Sequence, residues 1–165
     1  MIKSSYQIET VQDPDKVEAI LLMFDSSFPR SLSIRVGCLR KYAQKLAQHA
    51  DFDVMSIEGK IAGFVACYCN DFSTKCAFLT QIAVADAFRG KGIGGILLKH
   101  CIDKTREKGM EKITCQVDED NAASLKLFLT HGFIFSEKAC DRSLYFEKSL
   151  TNNNDVSLEE NGINL

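Results

Sequence analysis

A glycine-rich loop near the middle of the chain has the clearest chemical meaning. It runs from Arg89 to Gly95 with the sequence Arg-Gly-Lys-Gly-Ile-Gly-Gly and leads directly into an amphipathic helical pattern. Glycine leaves backbone N–H groups uncovered where the helix begins, and the helix dipole adds partial positive charge at that point. The loop therefore predicts a site for an anion, most often a phosphate group.

Two common phosphate-loop patterns fit this segment poorly. The loop of nucleotide triphosphatases needs Gly-Lys followed by Ser or Thr, but the residue after the last glycine is Ile96. The dinucleotide fingerprint is matched in letters by Gly90, Gly92 and Gly95. Its first glycine should follow a strand directly, whereas residues 85–88 intervene, and the preceding strands form an antiparallel pattern. The context argues against both interpretations.

The elements around the loop follow from hydrophobic periodicity. We predict strands at 6–11, 52–57, 61–69, 76–84, 112–117, 133–135 and 143–146, and helices from about 14, over 35–50, over 92–108 and from 121. Short links make the three strands between 52 and 84 an antiparallel meander, and the helical crossover makes 76–84 and 112–117 parallel. Residues 1–150 are expected to form one domain, and the Asn- and acid-rich segment 151–165 is expected to be disordered.

A second motif identifies the loop. Arg89-x-x-Gly92-x-Gly94 lies between the strand and the long helix. The downstream motif consists of Asn121-Ala122-Ala123-Ser124, Leu127-Phe128 and His131-Gly132-Phe133. Together with the element order, these motifs resemble the GNAT superfamily of acyl-CoA N-acyltransferases. The resemblance implies an α/β fold with a mixed, mostly antiparallel sheet of about seven strands, four helices and a parallel, splayed strand pair at the cofactor site. It also implies an acetyl-CoA-dependent N-acetyltransferase without a metal.

The resemblance assigns the acetyl-CoA site by position. The strand before the loop is bulged in this family, so its backbone would pair with the pantetheine amides. The loop and the first helical turn would hold the pyrophosphate. Two basic side chains would add charge there, and the residue at the start of the last helix would contact the cofactor arm while capping that helix. The expected cofactor-binding residues are Ile82, Ala83, Val84, Arg89, Gly90, Lys91, Gly92, Ile93, Gly94, Gly95 and Asn121.

The residues that move protons are not assigned by the sequence. An alkylammonium group has a pKa near ~10, so the acceptor amine must lose a proton before it attacks. The family's frequent acid, a tyrosine, is replaced by Phe128, and its usual base positions hold Thr80, Gln81 and Gln116. Water relayed through Thr80 and Gln81 could serve as the base, and a thiolate can leave unaided because thiol pKa values lie near ~8.5. The resemblance places the oxyanion on the backbone N–H of Val84 or its neighbour.

The acceptor pocket is expected between the first two helices, the meander turn and the last hairpin. The predicted substrate residues are Arg35, Tyr68, Asn70 and Gln81. The polar turn after Tyr68 favours a small-molecule amine, an amino sugar or an amino-acid derivative. Two alternatives stay open: acetylation of a protein N-terminus or lysine, and an acyl-CoA-binding sensor without catalysis.

Composition excludes several other classes. The formal net charge of −2 gives no basic face for nucleic acid, and no apolar run is long enough to cross a membrane. Without a signal-peptide pattern, the chain is expected to be cytoplasmic. Seven cysteines without a C-x-x-C pair are interpreted as reduced thiols that fill core positions. The resemblance also allows a homodimer.

Overall fold

A seven-stranded sheet forms the centre of the computed structural model, which describes residues 5–151. Its strands are β1 (Tyr6–Thr10), β2 (Asp51–Ile57), β3 (Lys60–Tyr68), β4 (Cys76–Val84), β5 (Lys112–Asp118), β6 (Ile134–Lys138) and β7 (Ser143–Ser149). They lie in the order β1-β2-β3-β4-β5-β7-β6. β4 and β5 are parallel, and the other paired strands are antiparallel. The mixed sheet and its parallel pair are as predicted. The predicted disordered tail beyond Thr151 lies outside the described residues.

Within the described residues, five α-helices cover the two faces of this sheet. They are α1 (Pro14–Met23), α2 (Leu32–Val36), α3 (Leu39–His49), α4 (Ile93–Glu107) and α5 (Ala122–Thr130). The sequence predicted one helix over 35–50, but the structure divides it into α2 and α3. Gly37 adopts a φ of +76° directly after α2, which stops that helix, and Cys38 is extended before α3 begins. The break turns the chain so that α2 can reach the end of β4.

Separate apolar clusters hold the helices on the sheet. On one face, α1 and α3 bury Leu21, Phe24 and Leu46 against Phe64 of β3. Phe64 stacks on Phe52 with ring centroids 4.8 Å apart and meets the Phe24 ring edge-on at 5.2 Å. On the other face, α4 and α5 cover a cluster that includes Leu97, Leu98, Ile113 and Phe133. Aromatic and aliphatic burial on both faces fixes the sheet, so its strand ends can hold a site rigidly.

A bulge at Thr80 reverses the side-chain alternation of β4. Ala66 of β3 pairs with Gln81 and the next residue, Cys67, pairs with Leu79, which leaves Thr80 as the extra residue. Before the bulge Leu79 packs in the α4 cluster, and after it Ala83 packs in the α1 and α3 cluster. Thr80 and Gln81 therefore face the same side of the sheet although they are neighbours in sequence.

Candidate active site

A cleft of about 580 Å³ opens where β4 and β5 separate. Their parallel pairing ends at Leu79 and Cys115, and beyond that point β4 has β3 as its neighbour. The Ala85 N–H donates to Ala62 on the β3 side. Because backbone direction alternates along an antiparallel strand, the N–H groups of Ile82 and Val84 face the opposite side, towards the cleft. This edge of β4 can accept an extended ligand as an additional strand.

The glycine loop forms one wall of this cleft. Gly90 and Gly92 have φ values of +72° and +79°, a conformation that side chains disfavour, and Gly92 is the N-cap of α4. The Ile96 N–H makes the first hydrogen bond inside the helix, to Gly92. In the described part of the chain, the N–H groups of residues 90–95 have no backbone acceptor. The loop and the first turn of α4 thus present a row of donors suited to a phosphate group.

The two basic residues of the loop are placed differently. Arg89 lines the cleft, but its guanidinium pairs with Asp86 at 3.1 Å and contacts the carbonyl oxygens of Val84 and Ser27 at 3.4 and 3.3 Å. It therefore braces the loop against β4. The Lys91 Nζ lies 5.4 Å from the centre of the Phe88 ring, and Lys91 is not among the residues that line the cleft. A phosphate contact for either side chain stays a prediction.

Asn121 and Ser124 lie where the cleft meets a second cavity. Asn121 is the N-cap of α5, and its Oδ1 accepts the Ser124 N–H at 3.1 Å. Both residues line both cavities. The Asn121 amide nitrogen and the Ser124 hydroxyl have no partner among residues 5–151, so both remain available to a ligand. The sequence pointed to Asn121 but not to Ser124, although the three-residue spacing of a cap contact is a usable signal.

The second cavity has a volume of about 260 Å³ and reaches towards α2 and β5. It shares Phe28, Pro29 and Ile82 with the cleft, in addition to the two α5 residues. Besides Asn121 and Ser124, its polar lining residues are Arg30, Arg35, Thr80, Gln81, Gln116, Asp118, Asp141 and Ser143. Phe128 also lines it, and its ring meets Phe133 edge-on at 5.1 Å. The family's usual tyrosine position is therefore a packed ring without a hydroxyl.

A hydrogen-bonded network joins side chains of α2, α3 and β4 beside this cavity. The Arg35 Nη2 donates to Gln81 Oε1 at 3.2 Å, and the Gln81 Nε2 donates to the Tyr42 hydroxyl at 3.1 Å. That hydroxyl also lies 3.1 Å from Thr80 Oγ1. The bulge makes the network possible because it turns both β4 side chains towards α3. Desolvation lowers the pKa of Arg35 and the positive charge of Arg30 adds to this effect, whereas Tyr42 and Asp118 oppose it.

Two carboxylates that the sequence interpretation omitted also line the cavity. Asp118 Oδ1 accepts the Asp120 N–H at 2.9 Å, and Asp141 Oδ1 accepts the Ser143 N–H at 3.3 Å. Within residues 5–151 neither carboxylate forms an ion pair. The signal for Asp118 was present, since alternation along β5 puts it on the same face as Gln116. Asp141 comes from the loop between β6 and β7, and its position depends on the tertiary fold.

The other two predicted substrate residues lie elsewhere. Tyr68 and Asn70 are not among the residues that line either cavity. The Tyr68 hydroxyl is buried without a hydrogen-bond partner in the described chain, and burial raises its pKa to about 12. Asn70 Nδ2 donates to the His49 carbonyl at 3.4 Å. The structure thus brings Arg35 and Gln81 together and leaves Tyr68 and Asn70 outside.

The cysteines contribute no nucleophile to these cavities. Cys115 is buried at 1% exposure, and burial raises the pKa of its thiol to about 12. All seven cysteines are free thiols, of which Cys38 and Cys140 are exposed. Across residues 5–151 there is no cluster of His, Cys, Asp and Glu that could hold a metal ion. Over the same range, no helix is long and apolar enough to cross a membrane.

The fold, the glycine loop and the splayed strand pair define a class of acyl-CoA-binding transferase. The sequence profile of the acetyltransferase (GNAT) family matches residues 17–133. The chain belongs to this family, as its two motifs predicted.

Individual relatives match only part of the chain, at about 30% sequence identity. Streptothricin acetyltransferase of Streptomyces lavendulae is 31% identical over 99 residues, which cover 60% of this chain and 51% of the relative. L-2,4-diaminobutyric acid acetyltransferase of Nocardia farcinica is 31% identical over 75 residues, with 46% and 39% covered. The chain thus spans about half the length, or less, of these curated relatives.

Solved structures share the fold at low sequence identity. The ribosomal-protein-S18-alanine N-acetyltransferase of Escherichia coli superposes with a TM-score of 0.71 at 20% identity, covering 92% of this chain and 98% of that one. The PaiA N-acetyltransferase of Thermoplasma acidophilum, in complex with coenzyme A, gives a TM-score of 0.68 at 16% identity, with 88% and 99% covered. Both similarities extend over almost the whole length of the solved chains.

Proposed function

We propose that this protein is an N-acetyltransferase that moves an acetyl group from acetyl-CoA to the amine of a small molecule. The observation that carries the proposal is the pair of adjoining cavities, one with backbone donors for phosphate and one with charged side chains. They meet at Ile82, Asn121 and Ser124. A donor held in the first cavity and an amine held in the second would come together there, which satisfies the geometric need of direct transfer.

The residues of the cleft fit acetyl-CoA. The free N–H groups of residues 90–95 suit the pyrophosphate, and the cleft-facing backbone of Ile82 and Val84 suits the pantetheine amides. The Asn121 amide would donate to the same arm. Acetyl-CoA supplies a thioester carbonyl that a neutral amine can attack. A backbone N–H of Ile82 or Val84 would donate to that carbonyl oxygen, where negative charge develops.

Proton transfer in this proposal depends on Asp118 and Ser124. In this proposal the second cavity holds the amine and is the acceptor cavity. The Asp118 carboxylate lines it, and a carboxylate there can receive the proton of the bound ammonium directly or through one water. The Ser124 hydroxyl lies at the junction and would donate a hydrogen bond to the leaving sulfur. It takes the place of the tyrosine that Phe128 replaces. Thr80 and Gln81 are bonded to Tyr42, so they position the cavity wall.

The small cavity and the relatives support a small acceptor, an amino sugar or an amino-acid derivative. About 260 Å³ suits one compact molecule. Two relatives acetylate streptothricin and L-2,4-diaminobutyric acid by name. A structural relative that acetylates the alanine of a ribosomal protein keeps a protein N-terminus or lysine as the second candidate acceptor.

A panel assay tests the proposal. The purified chain is incubated with acetyl-CoA and, separately, with amino acids, diamines, amino sugars and peptides with free N-termini or lysines, and thiol release is followed. We expect turnover with at least one small amine. Turnover with peptides alone would establish the second candidate, and acetyl-CoA binding without turnover on any amine would establish a sensor.

A further inference from the structure

We propose that the acceptor carries a carboxylate in addition to its reacting amine, and that Arg35 binds this carboxylate. The inference rests on the proposed N-acetyltransferase function and narrows its substrate class. Arg35 forms no ion pair with an acidic residue among residues 5–151. Arg35 lines the acceptor cavity, donates to Gln81 Oε1 and lies 5.1 Å from the Phe28 ring.

Most arginines of the described chain form ion pairs with acidic residues, unlike Arg35. Four arginines pair with carboxylates: Arg40 with Asp15 and Glu18, Arg89 with Asp86, Arg106 with Asp103, and Arg142 with Glu119 and Asp120. In residues 5–151, Arg30 and Arg35 are the arginines without an acid partner. Both line the acceptor cavity. Two unmatched guanidinium groups that face one cavity favour an anionic ligand.

The orientation of Arg35 is fixed in advance. Gln81 gives its Nε2 to Tyr42 and so keeps its Oε1 towards Arg35. This contact occupies a single N–H of a guanidinium that has five donors in a planar fork. The remaining donors have no acceptor among the described residues and can bind both oxygens of a carboxylate. A positioned guanidinium loses less freedom on binding than a mobile one.

The acidic groups of the cavity complete the match. Asp118 and Asp141 line it but form no ion pair with Arg30 or Arg35 in residues 5–151. The cavity therefore presents positive and negative groups without a direct ion pair, although Asp118 is near enough to act on the pKa of Arg35. A ligand with both charges can pair with each of them. The acceptor's ammonium pairs with Asp118 and its carboxylate with Arg35. This arrangement favours an amino acid over an amino sugar without a carboxylate, which would leave Arg35 without an ion-pair partner.

Matched pairs of acceptors test the inference. We would measure kcat and KM for L-2,4-diaminobutyrate, L-ornithine and L-lysine beside their decarboxylated counterparts 1,3-diaminopropane, 1,4-diaminobutane and 1,5-diaminopentane. The variants are Arg35→Gln, Arg35→Lys and, as a control, Arg40→Gln, which changes an exposed arginine outside the cavity.

We expect the wild-type chain to prefer at least one amino acid over its counterpart by about 10- to 100-fold in kcat/KM, as a charge-assisted, bidentate contact would give. Arg35→Gln should remove this preference through the acceptor KM, with the acetyl-CoA KM unchanged. Arg35→Lys should keep part of it, and Arg40→Gln all of it.

The two levels of the proposal fail in different ways. Turnover of amines without a preference for the carboxylate, or a preference that survives Arg35→Gln, overturns the inference and leaves the proposed function standing. Absence of turnover with every amine and peptide overturns the proposed function and the inference with it.

Discussion

The Gln81 side chain donates from Nε2 to the Tyr42 hydroxyl at 3.1 Å and so joins β4 to α3 beneath the acceptor cavity. The contact depends on the bulge at Thr80, which turns Gln81 to the face that α3 covers. It also decides which end of the amide meets Arg35. The Tyr42 hydroxyl on α3 thereby orients the Arg35 guanidinium group that lines the cavity.

Removal of this hydroxyl should weaken acceptor binding. In Tyr42→Phe the Gln81 amide loses the acceptor that fixes its orientation, so we expect the acceptor KM to rise about 3- to 10-fold. The acetyl-CoA KM should not change.

The matched control is Tyr68→Phe, which removes a buried hydroxyl without a partner in the described chain. That variant should keep both KM values and unfold at the same or slightly higher urea concentration. Identical acceptor KM values for Tyr42→Phe and wild type would show that the network does not act on the acceptor.

Neutralisation of Asp118 should slow acetyl transfer without weakening acetyl-CoA binding. For Asp118→Asn we expect kcat/KM for the acceptor to fall by about 100-fold or more at pH 7, because general bases contribute at least this much. The acetyl-CoA affinity should stay constant. The deficit should shrink as pH approaches the amine pKa near ~10, where the acceptor is already neutral. Asp141→Asn is the comparison, with a smaller loss expected. A deficit that is equal at every pH would argue against proton transfer by Asp118.

A bulky side chain in place of Gly92 should abolish acetyl-CoA binding. Gly92 and Gly109 have similar left-handed φ values, +79° and +84°, near opposite ends of α4, but only Gly92 lines the cleft. Gly92→Leu and Gly109→Leu should therefore cost similar stability, about 1–2 kcal/mol from the backbone conformation. Calorimetry should show that Gly92→Leu loses acetyl-CoA binding and that Gly109→Leu retains it. Equal affinities in the two variants would remove the glycine loop from the donor site.

A buried ion pair away from the cavities should govern stability in acid. The Asp53 side chain is 3% exposed and accepts hydrogen bonds from Lys104 at 2.8 Å and Thr10 at 2.6 Å. Burial alone would raise the pKa of Asp53, but the Lys104 and Thr10 hydrogen bonds outweigh it and leave the pKa below its usual value. The carboxylate thus stabilises the fold above pH ~4, and this contribution is lost as pH falls through the lowered pKa.

Asp53→Asn should therefore lower the free energy of unfolding by about 3 kcal/mol at pH 7, since it leaves Lys104 with only the more distant Asp51 carboxylate, 3.5 Å away. The difference from wild type should narrow below pH ~4. Urea unfolding between pH 3 and 7 measures both effects. Asp103→Asn, which removes exposed ion pairs with Lys99 and Arg106, should have little effect at any pH. A constant difference for Asp53→Asn across this range would contradict the assigned linkage.

The position of the glycine-loop cleft could be predicted from the sequence because its determinants are local. Gly92 permits a left-handed residue where α4 starts, and Asn121 caps α5 through a contact three residues away. The motif spacing then fixes the order of the elements. The break at Gly37 was less visible, since an isolated glycine is tolerated within a helical pattern and its φ depends on the surrounding chain.

The lining of the second cavity could not be predicted in the same way because residues from separate elements meet there. The bulge at Thr80 breaks the alternation that sequence reasoning assumes, and no residue type marks it. Asp141 reaches the cavity from a loop whose path depends on the tertiary fold. Tyr68 was selected for its polar neighbours, but it pairs with Phe78 before the bulge and lies near Lys45 of α3, outside the cavity lining.

The most direct test measures both products of one reaction. The chain is mixed with acetyl-CoA and L-2,4-diaminobutyrate or the best acceptor of the panel, and released thiol and N-acetylated amine are quantified in the same samples by colorimetry and mass spectrometry. For direct transfer we expect equal amounts of thiol and acetylated amine, which increase together and require both substrates. Thiol release that does not depend on the amine, or acetyl-CoA binding without an acetylated product from any amine, would contradict it.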